Sequence, residues 1–190
     1  AVLELARRFS LLQPAKTVKF IAFSTEELEL LFEDADMGSY RYAKEARSRG
    51  DKIEAVICID MIGYFTDLPG SQHCPLILRP FYPDRGNFIG FGSDIASYPL
   101  MEKVVGDFKK CSDLQVESLC VPVSIVPELM TSDNRSFWSF GYPSVWVTDT
   151  CIFRNFNMHT KKDSFDTLDY PRMSKVVDGI YCALVGLAGG

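Results

Sequence analysis

Short apolar runs, rich in β-branched and aromatic residues, alternate along this chain with segments of helical periodicity. The periodic segments are predicted helices; one opens the chain, and the last begins at Pro171, a favoured position in a first turn. The apolar runs are predicted strands, namely TVKFIAFS, KIEAVICIDMIGY, NFIGFGS, LQVESLCVPV and PSVWVTDT. This alternation predicts an α/β sandwich with a mostly parallel sheet. No repeat or linker divides residues 1–190, so we expect a single domain.

The composition argues against several classes of protein. The formal net charge is −5 and no basic block occurs, so nucleic-acid binding is not expected. No apolar run approaches the length of a membrane span. The opening AVLELARRFS lacks the pattern of a signal peptide, and the sequence leaves the compartment open. The six cysteines contain no CxxC pair, and their even number is compatible with disulfides.

Acidic and imidazole side chains follow the predicted strands. Glu26 and Glu27 come directly after VKFIAF, while Asp60 lies in ICIDMIG. His159 is in the loop that follows PSVWVTDT. Ligands of such sheets bind at the carboxyl ends of the strands. Glu, Asp and His can together form a zinc ligand set, and a second Glu beside the first is suited to take a proton from metal-bound water.

Each of these residues also has an ordinary structural interpretation. Adjacent glutamates are common in solvated loops, a buried aspartate can cap a turn, and a lone histidine is often structural. Asp133 precedes the predicted helix RSFWSFG and is suited both to cap that helix and to border a site. The apolar runs around Glu26, Glu27 and Asp60 favour site roles, because a carboxylate in such surroundings is costly unless it is paired or metal-bound.

Several motifs occur in a fixed order along nearly the whole chain: FIAFSTEE, DMGSYRYAKEA, VICIDMIGYF, FYPDRGNFIGF, TSDNRSFWSFGYPSVWVTDT and MHTKKDSFDTLDY. With these motifs the sequence resembles the M28 family of zinc-dependent peptidases, the aminopeptidase group that also includes the glutaminyl cyclases. The resemblance implies a three-layer α/β/α sandwich around a mostly parallel mixed sheet, as in other zinc exopeptidases. It also implies one or two zinc ions in the complete domain and a peptide or aminoacyl substrate.

The resemblance further implies roles for individual residues. Glu26 resembles the family's general base, which takes a proton from metal-held water and later passes it to the leaving amine. Glu27 and His159 resemble ligands of one metal. Asp60 resembles a ligand of the second metal in two-zinc members and a residue behind the ligands in one-zinc, cyclase-like members. Asp133 resembles the acidic residue that borders the site and joins its hydrogen-bond network.

The chain also departs from the family pattern. The family has a His-containing motif and a bridging Asp before the helix that AVLELARRFS resembles, so we expect this chain to be N-terminally incomplete. We therefore expect zinc binding to be weak or absent and the chain alone to be inactive or nearly so. We also expect self-association through the apolar face that the missing segment would cover. Asn134 stands where many relatives have His.

The function that this resemblance implies is that of a zinc-dependent exopeptidase. It would be an aminopeptidase that hydrolyses peptide bonds with Glu26 as the general base. Two alternatives remain open from the sequence. One is acyl transfer by a glutaminyl cyclase-like enzyme, which needs a single metal. The other is a non-catalytic, metal-poor remnant of the fold that only binds or associates. Metal content would discriminate among the three.

Overall fold

The computed structural model describes residues 1–26, 37–76, 78–122, 124–125 and 131–189. The helices are α1 (Val2–Phe9), α2 (Gly38–Arg49), α3 (Tyr98–Phe108), α4 (Asn134–Ser139) and α5 (Tyr170–Ala188). The strands are β1 (Val56–Ile59), β2 (Phe88–Ser93), β3 (Gln115–Cys120) and β4 (Ser144–Thr148). Short 3₁₀ turns occupy Cys151–Phe153 and Phe165–Thr167. Helices and strands alternate, as the sequence predicts.

The strands form one mixed sheet in the order β1-β4-β2-β3. β1 runs parallel to β4 and β2 runs parallel to β3, whereas the central pair, β2 and β4, is antiparallel. The prediction of a mostly parallel mixed sheet is therefore confirmed. Because β1 and β4 share a direction, their carboxyl ends meet at the same edge of the sheet, which is where the candidate site lies.

Helices cover both faces of this sheet. On one face α3 and α5 pack together over fully buried residues of β2 and β4, and Phe91 and Phe108 meet edge to face with ring centroids 5.2 Å apart. Gly179 of α5 permits the close packing of α5 on α3, because a Cβ atom at this position would overlap the Phe108 ring. On the other face α2 and α4 enclose a second cluster that includes Ala43 and Phe137. The three-layer α/β/α sandwich is thus confirmed.

The helix ends follow local sequence signals. α2 stops at Gly50, which adopts a left-handed φ of 74° that is easy only for glycine. α5 starts where the Asp169 side chain accepts a hydrogen bond from the Arg172 N–H, with Pro171 in its first turn. Within the described residues, no helix is both long and apolar enough to cross a bilayer.

Two strand predictions need correction. The predicted strand TVKFIAFS is not a strand, and residues 17–23 are exposed or half-buried. Phe20 packs on Phe9 and Phe23 packs on Tyr42, so the side chains of this segment are held without a β-ladder. Within the predicted strand KIEAVICIDMIGY, β1 covers only Val56–Ile59 and is mostly half-buried at the edge of the described sheet. An apolar run indicates burial, but a strand also needs a neighbour with which to exchange hydrogen bonds.

A disulfide joins Cys111, just after α3, to Cys182 in α5. Cys58, Cys74, Cys120 and Cys151 are free thiols. We expect the double variant Cys111→Ser, Cys182→Ser to lose about 2–4 kcal/mol of unfolding free energy, because the cross-link closes a long loop in the unfolded chain. Urea denaturation measures this loss, and Cys74→Ser, which removes an unpaired half-buried thiol, is the matched control. Equal midpoints for the wild type and the double variant would contradict the expectation.

Candidate active site

A cavity of about 650 Å³ lies over the sheet at the carboxyl ends of β1 and β4. Three residues predicted from the sequence, Glu26, Asp60 and His159, line it. A neighbouring cavity of about 430 Å³ is lined by Glu26, Asp60 and Asp133. Glu26 and Asp60 therefore stand between the two spaces. The structure thus brings together four side chains that are widely separated in the sequence.

Glu27, the remaining predicted site residue, lies outside the described residues, so its pairing with His159 stays a prediction. Within the described ranges, no group of three or more His, Cys, Asp or Glu side chains is arranged to hold a metal ion. Asp60 and His159 are both cavity residues with donor atoms that zinc accepts. They do not by themselves make a complete zinc site.

Asp133 occupies the N-cap position of α4, but its side chain makes no capping hydrogen bond there. The side chain is half-buried beside the smaller cavity. Burial raises the pKa of this carboxyl, while a hydrogen bond from Ser39 and the charge of Arg135 oppose the rise. Of the two interpretations drawn from the sequence, the position of Asp133 therefore fits a residue that borders the site.

Left-handed backbone conformations are concentrated around these cavities. Among the described non-glycine residues, positive φ angles occur at Thr25, Met61, Thr150, Cys151 and His159. Thr25 lines the smaller cavity, and the others line the larger one. Such conformations cost of order 1–3 kcal/mol each and persist where the surrounding structure imposes them, often at functional sites. The strained residues thus mark the same region as the acidic and imidazole side chains.

The turn after β4 is held by a buried carboxylate. Asp149 is 1% exposed and accepts hydrogen bonds from the N–H groups of Gly63 (3.1 Å), Tyr64 (2.8 Å) and Cys151 (3.3 Å). These bonds tie the segment after β1 to the positive-φ turn at Thr150 and Cys151. Burial raises the pKa of the Cys151 thiol to about 12, so this cavity residue is an uncharged thiol at neutral pH.

Arg154 lies behind the larger cavity and holds residues that line it, among them Gln72 and Phe88. It is 2% exposed and donates hydrogen bonds to Gln72 Oε1 (2.9 Å) and to the carbonyls of Tyr64 (3.1 Å) and Phe88 (2.9 Å). Gln72 in turn hydrogen-bonds Thr150. Burial lowers the pKa of Arg154 to about 10, which leaves it a cation at neutral pH. Arg154 thereby anchors the long loop of residues 66–87 to the turn after β4.

Sequence reasoning did not identify Asp149, Gln72 or Arg154. The signal that was available is a pair of charges after the fully buried strand SVWVT, with Asp149 directly after it and Arg154 in the turn that follows. A charge so close to the end of a buried strand is expensive unless it is compensated. The same argument that singled out Asp60 therefore applied to these two residues.

Asp149 is expected to make the protein less stable as pH rises. Burial raises its pKa from an ordinary 3.8 to about 6. The contribution of Asp149 to the free energy of unfolding is therefore fully present below about pH 3.8 and is lost as pH rises through about 6. At 1.36 kcal/mol per pKa unit, the loss is about 3 kcal/mol. We expect the unfolding free energy of the wild type, relative to Asp149→Asn, to fall by this amount between about pH 4 and pH 7. A pH-independent difference in urea denaturation would contradict this.

The fold of this chain is similar to that of several solved structures. The chain is similar to the LapB structure from Legionella pneumophila (TM-score 0.74, 19% identity, 99% of this chain and 44% of that one). It is also similar to the LapA aminopeptidase of the same organism (TM-score 0.71, 18% identity, 100% and 45%). A third similar structure is BSAP, a zinc aminopeptidase from Bacillus subtilis (TM-score 0.67, 21% identity, 96% and 39%).

A curated relative, the uncharacterized protein YfbL of Escherichia coli (strain K12), is 34% identical over 184 residues. The match covers 96% of this chain and 55% of the relative, so the chain spans little more than half the length of that protein. The sequence model described as peptidase family M28 matches residues 1–183. This match extends over nearly the entire chain and includes every motif on which the resemblance was based. The chain belongs to peptidase family M28.

Proposed function

We propose that this chain provides the active site of a zinc-dependent aminopeptidase, with Glu26 as the general base. The observation that supports the proposal best is the convergence of Glu26, Asp60 and His159 on one cavity. They lie in three separate parts of the sequence, and the two strands that position Asp60 and His159 are neighbours in the sheet. Membership of family M28 gives the reaction class, and the similar aminopeptidase structures suggest which end of a peptide is cut.

The position of Glu26 suits proton transfer during peptide hydrolysis. Its side chain lines both cavities, so a peptide bond held between the two spaces would lie beside it. In the proposed reaction Glu26 takes a proton from the attacking water and gives it to the amine that leaves. The larger cavity would hold the side chain of the first residue, and the smaller cavity would hold the start of the remaining peptide.

The zinc requirement is part of the proposal. It is supported by the family and by the similar Bacillus subtilis structure, which is described as a zinc aminopeptidase. Asp60 and His159, together with Glu27, are the side chains that would contribute ligands. Bound zinc would polarise the peptide carbonyl and make water more acidic. The described residues form only part of a ligand set.

Hydrolysis of short peptides with free and acetylated N-termini tests the proposal. From a chain that carries the complete ligand set, we expect release of the first residue of the free peptide in the presence of added zinc, loss of activity with a chelator, and no release from the acetylated peptide. Mass spectrometry of the products separates this outcome from cyclisation, which would convert an N-terminal Gln peptide with loss of ammonia. Cleavage within the peptide, or zinc-independent hydrolysis, would contradict the proposal.

A further inference from the structure

Four residues at the same level of the sheet form a row across it. The row begins at Asp60, at the end of the larger cavity that holds the candidate catalytic residues, and it ends at Glu117. Glu117 of β3 pairs with Gly90 of β2, and Gly90 pairs with Thr148 of β4. Asp60 follows Ile59, the partner of Val147, and so stands level with Thr148. Asp60, Thr148, Gly90 and Glu117 all line the cavity. With strands about 4.8 Å apart, the backbones of Asp60 and Glu117 are about 14 Å from each other.

The middle of this row is an open, apolar trough. Gly90 and Gly92 of β2 line the cavity and add no side chains of their own to its floor. Trp146, which pairs with Gly92, and Leu119, which also pairs with Gly92, form the two sides. Both side chains belong to one apolar cluster and line the cavity. The trough therefore suits a long, unbranched apolar segment lying across β2.

The charges on the cavity wall are of one sign. Glu26, Asp60, Glu117 and Asp163 contribute carboxylates, and among the described lining residues there is no lysine or arginine. Glu117 is half-buried, and its side chain accepts a hydrogen bond from the Gln115 amide (3.0 Å). The nearby Tyr82 hydroxyl donates instead to the Ser118 carbonyl (2.7 Å). A cationic group in the trough would meet Glu117 without displacing a basic side chain.

We propose that Glu117 is a specificity-determining residue that selects substrates whose first residue has a long side chain with a cationic tip, such as lysine or arginine. This inference rests on the aminopeptidase function proposed above. The methylene stem packs along Trp146 and Leu119, as the stems of lysine and arginine do on apolar surfaces. The tip makes a charge-assisted hydrogen bond with Glu117. An acidic first residue is disfavoured, because it brings a further negative charge into an acidic cavity.

Binding of amino-acid amides tests the inference without requiring turnover. Lysinamide and norleucinamide share a four-carbon stem and differ in the terminal ammonium. We expect the wild-type chain to bind lysinamide about tenfold more tightly in calorimetry, as a hydrogen bond to a charged group predicts. Glu117→Gln should remove this preference while keeping an amide oxygen for Gln115. Glu45→Gln, which changes an exposed carboxylate of α2, is the matched control and should retain the preference.

The outcomes of this experiment separate the inference from the proposed function. Equal binding of the two amides to the wild type, binding of neither, or a lysinamide preference that survives in Glu117→Gln would overturn the inference. Turnover of leucyl and lysyl anilides at equal rates, unchanged in Glu117→Gln, would overturn it as well but leave the aminopeptidase function intact. A Glu117-dependent binding preference in a chain that hydrolyses neither anilide would support the inference and count against the proposed function.

Discussion

Replacing Glu26 by Gln, in a chain that carries the complete metal-ligand set, is expected to lower kcat for aminoacyl-anilide hydrolysis by about 10²–10⁴-fold, the range that general acid–base groups contribute. The substitution keeps the size of the side chain and removes its capacity to accept a proton. Glu26 sits at the junction of the two cavities, so the change should affect the chemical step rather than the binding of either end of the peptide. The KM should therefore change much less than kcat.

The measurement needs steady-state kinetics and an independent check of the site. Zinc content after dialysis, compared with that of the wild type, should be unaltered in Glu26→Gln, because Glu27, Asp60 and His159 remain. Glu45→Gln serves as the control for a lost carboxylate elsewhere on the surface. Near-normal turnover in Glu26→Gln would remove this residue from the proposed mechanism.

Replacing Arg154 by Ala is expected to lower the free energy of unfolding by about 3–5 kcal/mol, the cost of breaking a buried charge network by removing one member. The variant leaves Gln72 Oε1 and the carbonyls of Tyr64 and Phe88 without their guanidinium donor. It also removes the cation that lies 4.6 Å from the Phe88 ring centroid and the positive charge that opposes the raised pKa of Asp149.

Urea denaturation of Arg154→Ala, followed by tryptophan fluorescence, measures this loss. Arg7→Ala is the matched control, because Arg7 pairs with Glu4 on the exposed surface of α1 and its removal should leave the denaturation midpoint unchanged. Equal midpoints for Arg154→Ala and the wild type would show that the buried network contributes little to stability. A destabilised variant that retains full activity would show that the cavity wall keeps its shape without Arg154.

Much of the fold could be predicted because it depends on local patterns. The short apolar runs NFIGFGS and PSVWVTDT predict β2 and β4, and Gly50 marks the end of α2. The placement of Asp60 and His159 at one edge follows from a topological rule about parallel strands, whereas Glu26 reaches the same cavity without a preceding strand. Their catalytic and metal-binding roles came from the family resemblance, and those roles remain proposals.

The features that sequence reasoning missed depend on contacts between distant segments. The apolar run at residues 17–23 has the composition of a strand, but no pattern in it specifies a hydrogen-bonding neighbour. The pairing of Cys111 with Cys182 follows from the packing of α3 on α5 and not from the spacing of the cysteines. The burial of Arg154 requires acceptors from three other parts of the chain, which no local pattern brings together. The trough exists because the glycines of β2 meet Trp146 and Leu119 in register.

The disulfide between Cys111 and Cys182 has a consequence for the mechanics of the molecule. It cross-links α3 and α5, which cover the face of the sheet opposite the cavity. Local openings that separate these two helices therefore cost more energy, whereas openings of the loops at the cavity mouth are not restrained by the cross-link. The cross-link therefore stiffens the face of the sheet away from the cavity and leaves the cavity side without that restraint.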